Sequence, residues 1–171
     1  MALPDAILQQ ERLLTINVHD EPGVDMSHSI PGLRLWPLYL DTLGATWVLY
    51  ARYAPGTRLP PHFHSGQVHF FTTKGTWGYV EHPEDQQRPG SYLYEPPGSV
   101  HTFEIPAEAT EEVEGIMVVN GVNISFDADG NYLMTGHVGS MEASILEAAR
   151  SQGLPMPRYI RPGGPAGFTT G

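Results

Sequence analysis

GTRLPPHFHSGQVH, residues 56–69, and GSYLYEPPGSVH, residues 90–101, decide the reading of this chain. The first segment holds His62, His64 and His69 behind a Pro60-Pro61 pair. The second runs Gly90-x5-Pro96-x-Gly98-x2-His101 and delivers a fourth imidazole 32 residues after His69. In an extended strand alternate side chains share a face, so His62 and His64 stand about 6–7 Å apart on one side. That spacing suits two facial ligands of one ion, and the Pro96-Pro97-Gly98 turn brings His101 from a separate strand. Four imidazoles arriving from two strand–turn units are hard to explain without a metal. The segments read as parts of a small metal-binding β-barrel.

Working outward, the flanking sequence has the same character. Residues 35–41 and 45–53 are rich in aromatic and apolar residues and are joined by a short turn, which predicts a hairpin. Strands are expected at 68–73, 76–81, 91–95, 102–105, 113–119, 123–127 and 131–135, with Asn120-Gly121 and Asp129-Gly130 as hairpin turns. The polar stretch 82–88 reads as a surface loop. Residues 140–152 break the pattern: Ser140 as N-cap, apolar Met141, Ile145, Leu146 and Ala149, and Gly153 as a stop predict a helix. A short helix is also expected over 5–13. Residues 154–171 carry four prolines and four glycines and read as a wrapping arm or a tail without structure. The expected organisation is an N-terminal arm at 1–34, a barrel at 35–139 and a C-terminal helix and tail at 140–171. The fold class is all-β, a double-sheet jelly roll.

Composition narrows the function. The chain has 171 residues, large enough for one domain with a sizeable core. Nine basic against 19 acidic residues give a formal charge of −10, which argues against a nucleic-acid or anionic-membrane partner. With no cysteine, disulfides and thiolate ligands are excluded, so nitrogen and oxygen must hold any metal. The N-terminus has no signal-peptide pattern and no apolar run reaches membrane-span length, so a cytoplasmic location is expected.

The two segments resemble the paired motifs of the cupin superfamily, whose barrels hold a metal near the wide mouth. The usual first motif is Gly-x5-His-x-His-x3,4-Glu-x6-Gly and the second Gly-x5-Pro-x-Gly-x2-His-x3-Asn. Here His69 stands at the glutamate position, Gly75 falls one residue short of the usual spacing, and Ile105 replaces the asparagine. Residues 47–106 are similar, more narrowly, to the cupin dioxygenases that cleave acetylacetone and 2,4'-dihydroxyacetophenone. The runs KGTWGYVEH (74–82) and SYLYEPPGSVH (91–101) resemble the latter most.

The resemblance implies iron(II) held by His62, His64 and His101, with zinc, manganese or nickel as alternatives. It also implies dioxygen and an enolisable ketone as substrates; for an aryl α-hydroxyketone the products would be an aromatic acid and formate. Three neutral imidazoles leave both positive charges on the metal, which favours a chelating anion at its open positions. His69, taken to point inward by its match to the glutamate position, is a candidate fourth ligand, outer hydrogen-bond donor or catalytic base. Glu95 is a candidate catalytic carboxylate, able to orient a metal histidine, or else a solvated strand end. Phe71 and Phe103 share the parity of His69 and His101 and are expected as pocket walls. Arg52 is a candidate partner for an anionic substrate or a surface charge. Trp77 and Tyr79 face outward if the turn at Lys74-Gly75 has two residues and inward if it has three. His19, His28, His82 and His137 have no ligand-like spacing. A homodimer or homotetramer is expected. A non-catalytic metal-sensing cupin and another cupin enzyme, such as an isomerase, remain alternatives.

Overall fold

The computed structural model describes residues 14–162. The helix expected over 5–13 and the end of the C-terminal tail lie outside the described residues. β1 (Val24–Asp25), β2 (Leu33–Asp41), β3 (Thr46–Tyr53), β10 (Val113–Asn120), β5 (Val68–Lys74) and β8 (Tyr92–Glu95) form one antiparallel sheet, in the order β1-β2-β3-β10-β5-β8. Facing it are β12 (Tyr132–Gly136), β11 (Asn123–Phe126) and β4 (His62–His64), and a second set of β7 (His82–Gln87), β6 (Trp77–Tyr79) and β9 (Phe103–Glu104). The isolated antiparallel bridges His62–His101 and Arg58–Glu104 stitch these two sets into one opposing layer. The result is a jelly roll, as the strand pattern predicts.

The core lies between the layers. Leu35, Leu49, Val68, Phe70, Trp77, Ile105 and Val119 are all buried, and most occupy alternate positions of their strands. Trp77 packs edge-on against Phe70 and beside Phe103, and its indole N–H donates to Thr72 Oγ1 at 3.0 Å. Burying this tryptophan decides the turn at residues 75–76. Gly75, at φ +72°, carries the chain round so that Trp77 and Tyr79 face the interior.

Four expectations are corrected. Residues 82–87 form a strand, β7, paired to β6; every position but the last is exposed, so no alternation marked it. β1 lies within the segment read as an arm, and β2 begins at Leu33. The helix α1 spans Val138–Ser151 with His137, not Ser140, as its N-cap. The His137 ring accepts from the N–H groups of Gly139 and Ser140, and the Ser140 hydroxyl reciprocates on the His137 backbone. Histidine thus does what a capping serine or aspartate usually does, and the residue type concealed the boundary.

Gly153, at φ +66°, ends the helix where expected. Beyond it the chain wraps back as an arm. Ile160 bridges Tyr39 in parallel, exchanging backbone bonds with Leu38 and Leu40, while Tyr159 is buried and its hydroxyl donates to Glu142. Among the described residues no helix is long and apolar enough to cross a membrane.

Candidate metal centre

β4 delivers His62 and His64 to the barrel interior, with Phe63 between them stacked outward on Phe126. His101 reaches the same place because its backbone pairs with that of His62, N–H to carbonyl in both directions at 2.9 and 3.0 Å. All three imidazoles are buried, and each offers a nitrogen within 4.8 Å of the other two. His62 Nδ1 lies 2.8 Å from the Pro60 carbonyl oxygen. A carbonyl only accepts, so Nδ1 carries the proton and Nε2 is left with its lone pair. The proline pair that feeds β4 therefore also sets a tautomer.

Electrostatics favour ligands over cations. Burial pushes the His64 ring down to about 3, reinforced by the neighbouring His62. His101 is likewise pushed down to about 3, by burial first and by His62 and His64 next. His62 is lowered by burial. At neutral pH the three rings are uncharged, the form that binds metal.

Glu95 completes the cluster from the end of β8. Its Oε2 lies 3.4 Å from His101 Nε2 and 3.7 Å from His64 Nε2, while its Oε1 accepts a hydrogen bond from the Tyr79 hydroxyl. Oε2 and His101 Nε2 are buried with no hydrogen-bond partner among the described residues. Electron-rich atoms left facing one another in a buried site call for a cation between them. Donors held at about 2.0–2.2 Å from one ion lie roughly 3–3.5 Å from each other, so the three imidazoles and this carboxylate fit a divalent metal. Burial pushes the Glu95 carboxyl up to about 7, against the opposing effect of the Tyr79 hydrogen bond. Burial, with Glu95 adding to it, raises Tyr79 well above the ordinary phenol range.

An apolar cavity of about 110 Å³ runs inward from His62, His64 and Glu95. Phe103 lines it, as its shared parity with His101 predicts, together with Trp77, Tyr79, Leu49, Met117 and Met141 of α1.

Three expected members are elsewhere. His69 and Phe71 point to the outer face of the six-stranded sheet, because Val68, Phe70 and Thr72 take the inward positions of β5. His69 hydrogen-bonds through Nδ1 to the Tyr92 hydroxyl at 2.7 Å and stacks on that ring. The turn at residues 65–67 separates β4 from β5, so matching His69 to a motif position did not carry strand parity across it. Arg52 also faces outward. It pairs with Glu114 at 3.2 Å and Glu112 at 3.6 Å, and lies over the Trp36 ring. Conversely, spacing alone did not single out Asn123, which pairs directly opposite His64, or Trp47. Their signal is inward parity, Asn123 on the strand beside His62 and His64 and Trp47 on the facing sheet.

The sequence profile of the ChrR cupin-like domain family matches residues 12–123. A crystal structure of a Ralstonia eutropha protein of unknown function with a cupin-like fold is 37% identical. It superposes with a TM-score of 0.86 over 93% of this chain and 98% of that one. An acetylacetone dioxygenase from Acinetobacter johnsonii is 18% identical, with a TM-score of 0.68 over 86% of this chain and 99% of that one. A putative acetylacetone dioxygenase from Methylibium petroleiphilum is 17% identical, with a TM-score of 0.69 over 81% and 97%. At those identities the two likenesses show the shared fold alone. No curated protein matches the chain.

Proposed function

The chain belongs to the ChrR cupin-like domain family of the cupin superfamily, and from that premise we propose that it is a metal-dependent dioxygenase that cleaves a C–C bond of an enolisable ketone. The observation that carries the reading is the placement of Glu95. Its carboxyl stands beside three neutral imidazoles in the lining of an apolar cavity. A buried carboxylate held in place by Tyr79 and facing the cavity is placed to take the proton from the carbon next to a ketone carbonyl.

The residues divide the work. His62, His64 and His101 would hold the metal, iron(II) in this reading. A bound divalent ion would supply Lewis acidity toward the ketone oxygens and reactivity toward dioxygen. Glu95 Oε2 receives the substrate proton, and the Tyr79 O–H on Oε1 keeps the other oxygen turned to the site. Phe103, Trp77 and Leu49 exclude water from the apolar part of the substrate. His69, on the far face of the sheet, takes no part.

The test is oxygen uptake by protein reconstituted anaerobically with iron(II). The substrates are 2,4'-dihydroxyacetophenone, acetylacetone and a ketone that cannot enolise. Uptake with the enolisable compounds alone is expected; none with any ketone, on protein shown to hold iron, overturns the proposal.

The distances from Glu95 Oε2 to two histidine nitrogens favour a second reading, in which the carboxylate is a fourth ligand and the site closes around a structural or sensing zinc. A zinc-loaded protein whose metal binds no added ligand would support it.

A further inference from the structure

We infer that Trp47 is a specificity-determining residue, whose indole N–H recognises a hydroxyl on the end of the ligand remote from the metal centre. The inference rests on the ketone-pocket reading above and adds the substrate's second polar group. Trp47 lines the cavity and is only 3% exposed, yet its Nε1–H, buried, has no hydrogen-bond partner among the described residues. An indole nitrogen is a donor only, and a buried donor left unpaired costs stability unless something in the cavity accepts from it. The rest of the wall at that end, from Leu35, Leu49, Met117 and Val119, offers no side-chain oxygen or nitrogen.

Register gives the reach. Glu95 pairs with Val68, Val68 with Val119, and Val119 with Trp47, so these four residues form one row across the sheet. Three strand spacings put the backbones of Glu95 and Trp47 about 14 Å apart. The inward reach of both side chains shortens the gap to the scale of one substituted ring.

The other unpaired polar atoms of the lining, His64 Nδ1, Glu95 Oε2 and Asn123 Oδ1, belong to the metal centre or to the strand beside it. Asn123 stands across from His64, where it can accept from a hydroxyl next to the ketone. The geometry thus describes a ligand with a ketone and its donor at the metal, an apolar ring between, and a hydroxyl at Trp47. A site built to hydrogen-bond a hydroxyl rejects the analogue lacking it far more strongly than an apolar wall could.

The test compares 2,4'-dihydroxyacetophenone with 2-hydroxyacetophenone, which differ only in the ring hydroxyl, binding to the full chain loaded with zinc and followed by calorimetry. The wild type is expected to bind the hydroxylated ketone at least about tenfold more tightly. Trp47→Phe should bring the two affinities within about twofold of each other by weakening the hydroxylated ligand alone. Equal affinities in the wild type, no binding of either, or a Trp47→Phe loss shared by both ligands overturns the inference. A second measurement needs no variant. Of the three tryptophan indole N–H resonances in the wild type, the one from Trp47 should move downfield with the hydroxylated ketone and stay in place with the other. Because both readouts are binding without dioxygen, failure of oxygen uptake would sink the dioxygenase reading and leave this result to stand or fall separately.

Discussion

Tyr79 and Glu95 come from opposite layers of the barrel, β6 and the end of β8, and meet inside it with the phenol O–H donating to the carboxylate. The bond fixes which oxygen of Glu95 faces the histidines, and it favours the ionised form that burial opposes. Glu95→Gln keeps the shape and removes the negative charge. Metal affinity should fall by about 10–100-fold, the range for losing a carboxylate that supports a metal site, because the negative oxygen facing His64 Nε2 and His101 Nε2 becomes part of a neutral amide. Tyr79→Phe should cost less, because the carboxylate remains. Equal metal affinity in wild type and Glu95→Gln, measured by competition with a chelator, would remove Glu95 from the site.

The histidines divide into two classes. His62→Ala, His64→Ala and His101→Ala should each purify with a small fraction of the wild-type metal, since each removes one of three converging nitrogens. His69→Ala should retain both metal and turnover, because the ring lies outside the barrel against Tyr92. Metal content by elemental analysis decides between them, and loss of metal from His69→Ala would contradict the placement of β5.

Acid should destabilise the protein after its metal has been stripped. His64 and His101 protonate near 6.5 when unfolded but only near 3 when folded. Between those values the unfolded chain binds more protons, so stability rises with pH across this window and is lost as pH falls through it. Glu95 acts in the opposite sense. Its folded value of about 7 lies above the unfolded 4.5, so its contribution is present at low pH and lost as pH rises toward 7. Glu95→Gln should therefore show a steeper rise of stability from pH 4.5 to 6.5 than the wild type. Urea midpoints across that range would measure it, and a shallower rise would refute the assignment.

Gly75 is the residue that turns Trp77 inward. A Cβ there would sit 2.5 Å from the Glu112 carbonyl oxygen and 2.9 Å from Val113 Cα, at φ +72°. Backbone does not yield as a side-chain tip can, so Gly75→Ala should destabilise by roughly 1–3 kcal/mol. Thermal unfolding would check this against Gly130→Ala, where φ is +81° but nothing lies within 4 Å and the smaller penalty of strain alone should appear.

The interaction on the other flank of the sheet is structural. Glu114 is buried and held by Tyr50, Arg52 and Lys74 together. Glu114→Ala leaves the buried Tyr50 phenol without its acceptor and Arg52 with Glu112 alone, and should cost about 1–3 kcal/mol while leaving metal content unchanged. A loss of metal in this variant would mean that the outer face and the site are coupled.

Much of this was legible in the residues themselves. Alternation, Asn-Gly and Asp-Gly turns and the two glycine- and histidine-bearing segments point to a jelly roll. The spacing His-x-His puts His62 and His64 on one strand face by local geometry alone, while the resemblance to the cupin motifs, rather than spacing, singled out these two and His101 from the four candidate imidazoles. What stayed hidden depended on turns and on distance in sequence. One residue more or less in the turn before β5 or β6 reverses every side chain that follows. The same spacing that made His69 resemble a ligand is therefore compatible with its lying outside, and Trp77 could have gone either way. Glu95 beside the histidines, Tyr79 on Glu95, and Trp47 in line with Glu95 across Val68 and Val119 are relations between strands. Only the pairing register, set by the burial of Val68, Phe70 and Trp77, decided them.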